Sequence, residues 1–135
     1  MDEASVFFLQ NQLEKNTRTY RSLLFDNNFR PQSPKNDCLQ IDRDVPRTFH
    51  FSEPLEFPIS NTELILVSNL ESQDILKHAL RNVLIAYSRY DKSIGYVQGM
   101  NLIVGAILFH CRGDEVSTFW IFVSLIENYE MRQIY

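Results

Sequence analysis

The 135-residue chain is predicted to be all-α, and three observations carry that prediction. Hydrophobic residues make up 44% of it, with ten Phe and six Tyr against four Gly and five Pro, a composition that can build a packed core and disfavours turn-dense β architectures. Apolar residues recur at spacings of three and four in several stretches, the pattern of one helix face. The longest apolar run, Leu102 to Phe109, lies in a segment whose flanks read as helix boundaries. A chain of this length holds one core or part of one, so a single domain over residues 1–135 is expected.

The elements follow in order. Residues 3–25 carry Val6, Leu9, Leu13, Tyr20, Leu23 and Leu24 at helical spacing, which predicts an amphipathic helix. All five prolines fall between positions 31 and 58, so residues 26–58 are expected to be irregular, with one short helical turn near Cys38 to Asp44. Thr62 to Leu70 fits either a helix or a short strand. From Ile75 to Tyr90 the apolar set keeps strict helical spacing, with Ser72 the expected N-cap and Asp74 placed to favour the helix dipole. Met100 to Phe109 is apolar on nearly every side except Asn101, which predicts a central helix buried on most faces. Gly113 is the expected C′ residue, and Asp114 the N-cap of a last helix bearing Val116, Phe119, Trp120, Val123 and Ile126.

Several function classes lose ground on composition alone. The formal net charge of −4 has the wrong sign for a surface that neutralises phosphates, so no nucleic-acid partner is expected. Cys38 and Cys111 form no C-x-x-C and read as reduced thiols, and His50, His78 and His110 lack metal-ligand spacing, so no metal is expected. An eight-residue apolar run is far short of the ~20 residues that span a bilayer. Asp2 and Glu3 stand where an export signal needs bases, so a cytoplasmic chain without membrane insertion is expected.

Two polar segments interrupt the hydrophobic blocks. In Ile41-Asp42-Arg43-Asp44-Val45-Pro46-Arg47-Thr48-Phe49, Pro46 fixes the chain direction before Arg47, and Asp44 is close enough to hold the guanidinium by a bidentate bond. Alone, this pair also fits a surface contact that merely ties down a loop. In Gly95-Tyr96-Val97-Gln98-Gly99-Met100-Asn101, glycines on both sides permit a tight turn that displays Gln98 at a helix N-terminus, where a carboxamide can orient a water. Alone, that segment equally fits a glycine-bounded turn whose glutamine caps the next helix. It is not a phosphate-binding Walker loop.

Together, in this order, the two segments resemble the TBC domain, the family of GTPase-activating proteins for Rab GTPases. The family's I-x-x-D-x-x-R-T is matched by Ile41, Asp44, Arg47 and Thr48, and its Y-x-Q-G by Tyr96, Gln98 and Gly99. Leu80 to Ser88 looks like the family helix that precedes the glutamine turn, and Asn101 and Trp120 fall where similar family members have them. The resemblance implies an all-α, multi-helix domain and its N-terminal catalytic lobe. It further implies that Arg47 acts as an arginine finger and Gln98 as a glutamine finger, in trans, on the GTP and Mg²⁺ held by a Rab-family partner; the chain needs no cofactor of its own and is not itself the enzyme. Asp44 would orient Arg47, while Tyr96 and Gly99 would shape the turn that aims Gln98. A location peripheral on endomembranes, through the GTPase, goes with that role in vesicle trafficking.

The chain also departs from the family pattern. An R-x-x-x-W helix is absent, Val116 standing four residues before Trp120, the sole tryptophan, and His50 replaces a more usual proline. The resemblance implies further helices after Asn128 to Tyr135, so the domain is expected to be incomplete at both ends, with Phe119, Phe122 and Val123 left uncovered. A non-catalytic fragment that only binds a GTPase or another protein is the alternative reading.

Overall fold

A computed structural model describes residues 2–25, 37–49, 56–60, 63–66 and 69–129, with side chains from Gln73 onward in the last of these segments. Helix α1 (Glu3–Phe25) has the expected bounds. Asp2 caps it, its carboxylate accepting from the Ser5 amide at 2.7 Å, and hydrogen bonding from the Ser5 side chain first and its amide second holds the Asp2 carboxyl below its ordinary range. At the other end the Arg89 guanidinium donates to the carbonyls of Leu23 and Leu24 (2.7 and 3.0 Å), satisfying acceptors that no helical turn can reach. Only Tyr20 and Leu23 of the apolar stripe are buried, and Leu24 packs partly against the core. Val6, Leu9 and Leu13 lie on the surface, Leu13 being 64% exposed, so their spacing forms the helix but, among the described residues, covers nothing in its first half.

The expected short helical turn is α2 (Asp37–Asp44), which tightens into a 3₁₀ turn over Val45–Arg47. Two strands correct the expectation of an irregular stretch to residue 58: β1 (Glu56–Ser60) pairs antiparallel with β2 (Glu63–Leu66), Phe57 facing Ile65 and Pro58 facing Leu64, with a register shift before Ser60. Pro58 is compatible because a two-stranded ribbon has free edges on which a missing N–H costs no ladder bond. The ambiguous stretch from Thr62 to Leu70 thus holds β2 and the start of a helix, Thr62 itself lying outside the described residues. The sequence-level reading of residues 26–36 and 50–55, including the His50 departure, also lies outside them, as do residues 130–135.

Helix α3 (Asn69–Tyr90) begins three residues before Ser72, which is therefore inside the helix and not its N-cap. Asn69, Leu70 and Glu71 include neither Gly nor Pro, so nothing stops the turn from extending back through them. This helix is the centre of the fold and touches α1, α2, α4 and α5. Leu76, Leu80, Val83, Leu84 and Tyr87 are fully enclosed. Helix α4 (Met100–His110) was expected in that role, but it buries a single stripe, Met100, Asn101, Val104, Gly105 and Leu108, and leaves Leu102 61% exposed.

Between α4 and α5 (Glu115–Asn128) the chain reverses through a Schellman motif. The Gly113 amide donates to the Leu108 carbonyl (3.0 Å) and the Arg112 amide to that of Phe109 (3.2 Å). Arg112, at φ 56°, occupies C′, and the expected C′ residue Gly113 sits one place later. Asp114 caps α5 as expected, accepting from the Ser117 amide at 3.2 Å.

Phe119, Phe122 and Val123 are buried, contrary to the expectation that they would lack partners. Tyr20 packs tilted against Phe119 and Tyr90 meets it edge-on, with centroids 5.3 and 5.5 Å away, and Tyr87 meets Phe122 edge-on at 4.8 Å. Aromatic side chains of α1 and α3 therefore cover α5. Both cysteines are free, and no described helix is long and apolar enough to cross a membrane.

Candidate functional site

The site starts from two anchors. Ile41 and Val45, four residues apart on one face, are buried against the core and fix the end of α2, with Pro46 opening the 3₁₀ turn that follows. This places Asp44, only 4% exposed, on the inner side of the turn and Arg47, whose side chain is 68% exposed, on the outer. Asp44 is enclosed by donors. The Gln40 amide reaches both its oxygens (3.3 and 3.2 Å), and the Tyr96 hydroxyl donates to Oδ2 at 2.6 Å.

The expected bidentate Asp44–Arg47 bond is not formed. A single Nη2 to Oδ1 approach of 3.6 Å remains, and Arg47 Nε instead donates to the Arg43 carbonyl at 3.2 Å. The reason is competition: Gln40 and Tyr96 already occupy the carboxylate, so the arginine head stays at its rim and faces outward.

The second loop is built on two glycines. Gly95, at φ 64°, closes the turn that follows α3, its amide donating a hydrogen bond to the Asp91 carbonyl (2.8 Å), and a Cβ there would lie 2.7 Å from Asp37 Oδ2. Gly99, at φ 105°, is the N-cap of α4. Between them Tyr96 is buried and Gln98 exposed. Burial raises the Tyr96 pKa, and the hydrogen bond to the Asp44 carboxylate raises it further, so the phenol remains a donor.

Asn101 and Thr48 link the loops a second time. Asn101 Nδ2 donates to Thr48 Oγ1 at 2.9 Å, and that hydroxyl donates to the Asp44 carbonyl at 2.8 Å. Asn101 Oδ1 accepts from the Gly99 amide at 3.1 Å. All eight residues singled out in the sequence, Ile41, Asp44, Arg47, Thr48, Tyr96, Gln98, Gly99 and Asn101, thus lie on two adjoining segments, the end of α2 with its 3₁₀ turn and the glycine-bounded turn that leads into α4. Six are tied in one hydrogen-bonded and ion-paired network; Ile41 anchors it, and Gln98 projects from it. The arrangement presents a guanidinium and a carboxamide to the outside from a braced base.

Two contributors escaped the sequence reading. Gln40 stands one turn before Asp44 on α2, a spacing that would have revealed it. Gly105 lets α4 lie against the first loop: a Cβ there would come within 2.9 Å of Thr48 Cγ2 and 3.4 Å of Phe49 Cζ. Its signal was a glycine inside an apolar helix, which generally marks close packing. Among the described residues no group of three His, Cys, Asp or Glu side chains could hold a metal ion.

The family model for the Rab-GTPase-TBC domain matches residues 6–135. Growth hormone-regulated TBC protein 1-A from Danio rerio is 30% identical over 119 residues, covering 88% of this chain and 28% of that protein. GTPase-activating protein GYP3 from Saccharomyces cerevisiae is 34% identical over 129 residues, 89% of this chain and 18% of its own length. Rab GTPase-activating protein eat-17 from Caenorhabditis elegans is 38% identical over 95 residues, 70% of this chain and 9% of its own. The chain therefore spans at most 28% of the length of these three relatives. No solved structure matches it. With the family model covering nearly its whole length, the chain belongs to the Rab-GTPase-TBC domain family.

Proposed function

We propose that this chain activates GTP hydrolysis by a Rab-family GTPase, with Arg47 and Gln98 entering the partner's active site as arginine and glutamine fingers. The observation that carries the reading is the pairing of an exposed arginine and an exposed glutamine on two loops bonded to each other from behind, through Asp44–Tyr96 and Thr48–Asn101. Relatives that bear the names GTPase-activating protein GYP3 and Rab GTPase-activating protein eat-17 support the partner class.

In this mechanism GTP and Mg²⁺ belong to the partner. The Arg47 guanidinium neutralises charge that grows on the transferring γ-phosphoryl group, a contribution of ~10³ to 10⁵ in rate, or about 4 to 7 kcal/mol. The Gln98 carboxamide aligns the attacking water in place of the GTPase's own glutamine. Asp44 does not grip Arg47; it forms the fixed base from which the side chain reaches out, and the loose 3.6 Å approach leaves the guanidinium free to exchange one anionic partner for another. The activator meets its membrane-borne partner at the membrane surface, which places it peripherally on endomembranes in vesicle trafficking.

Single-turnover GTP hydrolysis by a panel of Rab GTPases, with the chain, Arg47→Ala and Gln98→Ala, tests the proposal. Stimulation that disappears in both variants is the expected result. A folded chain that binds a GTPase without stimulating it would overturn the catalytic reading and leave a binding module.

A further inference from the structure

We infer that Asn101 is the positioning residue that holds the two finger loops in register, an assignment whose catalytic consequence rests on the function proposed above. Thr48 follows Arg47 directly in the chain, and Gly99 follows Gln98. One buried side chain, 7% exposed, reaches both: its amide nitrogen donates to Thr48 Oγ1 at 2.9 Å and its amide oxygen accepts from Gly99 N at 3.1 Å.

The chemistry of the neighbours requires an asparagine. Gly99 N–H is a donor only, so an acceptor must face it. Thr48 Oγ1 has already given its proton to the Asp44 carbonyl, so a donor must face Thr48. An aspartate supplies no donor, a leucine neither function, and a glutamine would be one methylene too long for the same two partners. The Tyr96 hydroxyl, 3.4 Å from Asn101 Oδ1, spends its proton on Asp44 at 2.6 Å, so it adds little to the Asn101 link. The loops are therefore joined at two points, by Tyr96 to the side chain of Asp44 and by Asn101 to the residues beside the fingers. The first link fixes how deep the loops sit. The second fixes their offset along one another, the quantity that sets the separation of two groups acting on one phosphoryl transfer.

The first test needs no GTPase. Residue-resolved amide hydrogen exchange on the 135-residue chain should show Gly99 exchanging faster in Thr48→Val by about twofold to tenfold, the range that corresponds to one net hydrogen bond. In an Asn101→Leu background the same substitution should add nothing. Unchanged Gly99 exchange in Thr48→Val would overturn the inference, as would an equal acceleration without Asn101, which would route the effect through Asp44 and Tyr96. If Asn101→Leu does not fold, the single Thr48→Val result still decides.

The second test is kinetic. Asn101→Asp keeps the acceptor for Gly99 and loses the donor to Thr48. It should lower the saturating single-turnover rate on the order of 10²-fold, the cost of an ångström-scale misplacement, with the half-saturating concentration unchanged. Full stimulation by Asn101→Asp would overturn the inference. A wild-type chain that stimulates no GTPase would instead sink the proposed function, and the exchange result would stand by itself.

Discussion

Tyr96 donates its hydroxyl proton to Asp44 across 2.6 Å, and this one bond joins loops 52 residues apart in sequence. Both partners are buried. The Asp44 carboxylate needs its donors because a buried charge without them is expensive, and the tyrosine body fills apolar space while its tip supplies one.

Removing the hydroxyl tests this relationship. Tyr96→Phe keeps the ring and, among the described residues, leaves Gln40 as the remaining hydrogen-bonding side chain on Asp44. Chemical denaturation should show a loss of about 1 to 3 kcal/mol, the cost of an under-satisfied buried acceptor. Stimulated hydrolysis should fall while GTPase affinity holds.

Arg47 should behave oppositely. Its side chain is mostly exposed and makes only rim contacts, so Arg47→Ala should leave the unfolding free energy within about 0.5 kcal/mol of wild type. Stimulated hydrolysis should nevertheless drop ~10³-fold or more. Arg47→Lys should not restore it, because an ammonium lacks the planar fork.

Alkaline titration provides a pH test. Burial raises the pKa values of Tyr20 and Tyr96, with further contributions from Glu115 and Asp44 respectively, and burial followed by Glu127 raises Tyr90. A tyrosine whose folded pKa lies above its unfolded value of 10.0 holds its proton more tightly when folded. For the buried Tyr20 and Tyr96 the resulting contribution to stability is complete below that pH and is lost as pH rises through the folded pKa, by about 1.4 kcal/mol per pH unit per group, while the exposed Tyr90 contributes less because solvent screens it. Stability should therefore fall above pH 10, and tyrosinate absorbance should show these residues ionising last, together with unfolding. Tyr96→Phe should flatten the fall.

Gly105→Ala should separate packing from backbone effects. A methyl at 2.9 Å from Thr48 Cγ2 pushes α4 away from the first loop, with an expected cost of about 1 to 3 kcal/mol. Gly99→Ala meets no atom within 4 Å and should cost only its strain at φ 105°. Thermal unfolding of the two variants, with Thr48→Ser added to remove the clashing Cγ2 while keeping the hydroxyl, distinguishes the mechanisms: Thr48→Ser should recover part of the loss in Gly105→Ala and none in Gly99→Ala.

Local pattern carried much of this fold. The bounds of α1, the turn of α2, the start of α4 at Met100 and the Asp114 cap all follow from spacing, glycine placement and capping chemistry within a few residues. What pattern missed depends on partners distant in the chain. The burial of Phe119 and Phe122 requires Tyr20, Tyr87 and Tyr90, and the central position of α3 emerges only when four helices surround it. In the site, the two motifs named their residues, but the wiring did not follow from them. That Arg47 is not clamped by Asp44 depends on Gln40 and Tyr96 reaching the carboxylate first. The β1–β2 ribbon was obscured by Pro58, which reads as a breaker unless the strand is an edge.

Among the described residues, helix α1 is anchored at one end only. Its second half has Tyr20 bonded to Glu115, the Trp120 indole donating to the Asn16 carbonyl and Arg89 closing the terminus, while its first half lies against no buried face. Starting a helix is the costly event and lengthening one is nearly neutral, so the docked turns act as a permanent nucleus for the outer turns. Unwinding of the outer turns is therefore expected to cost little and to leave the docked turns in place.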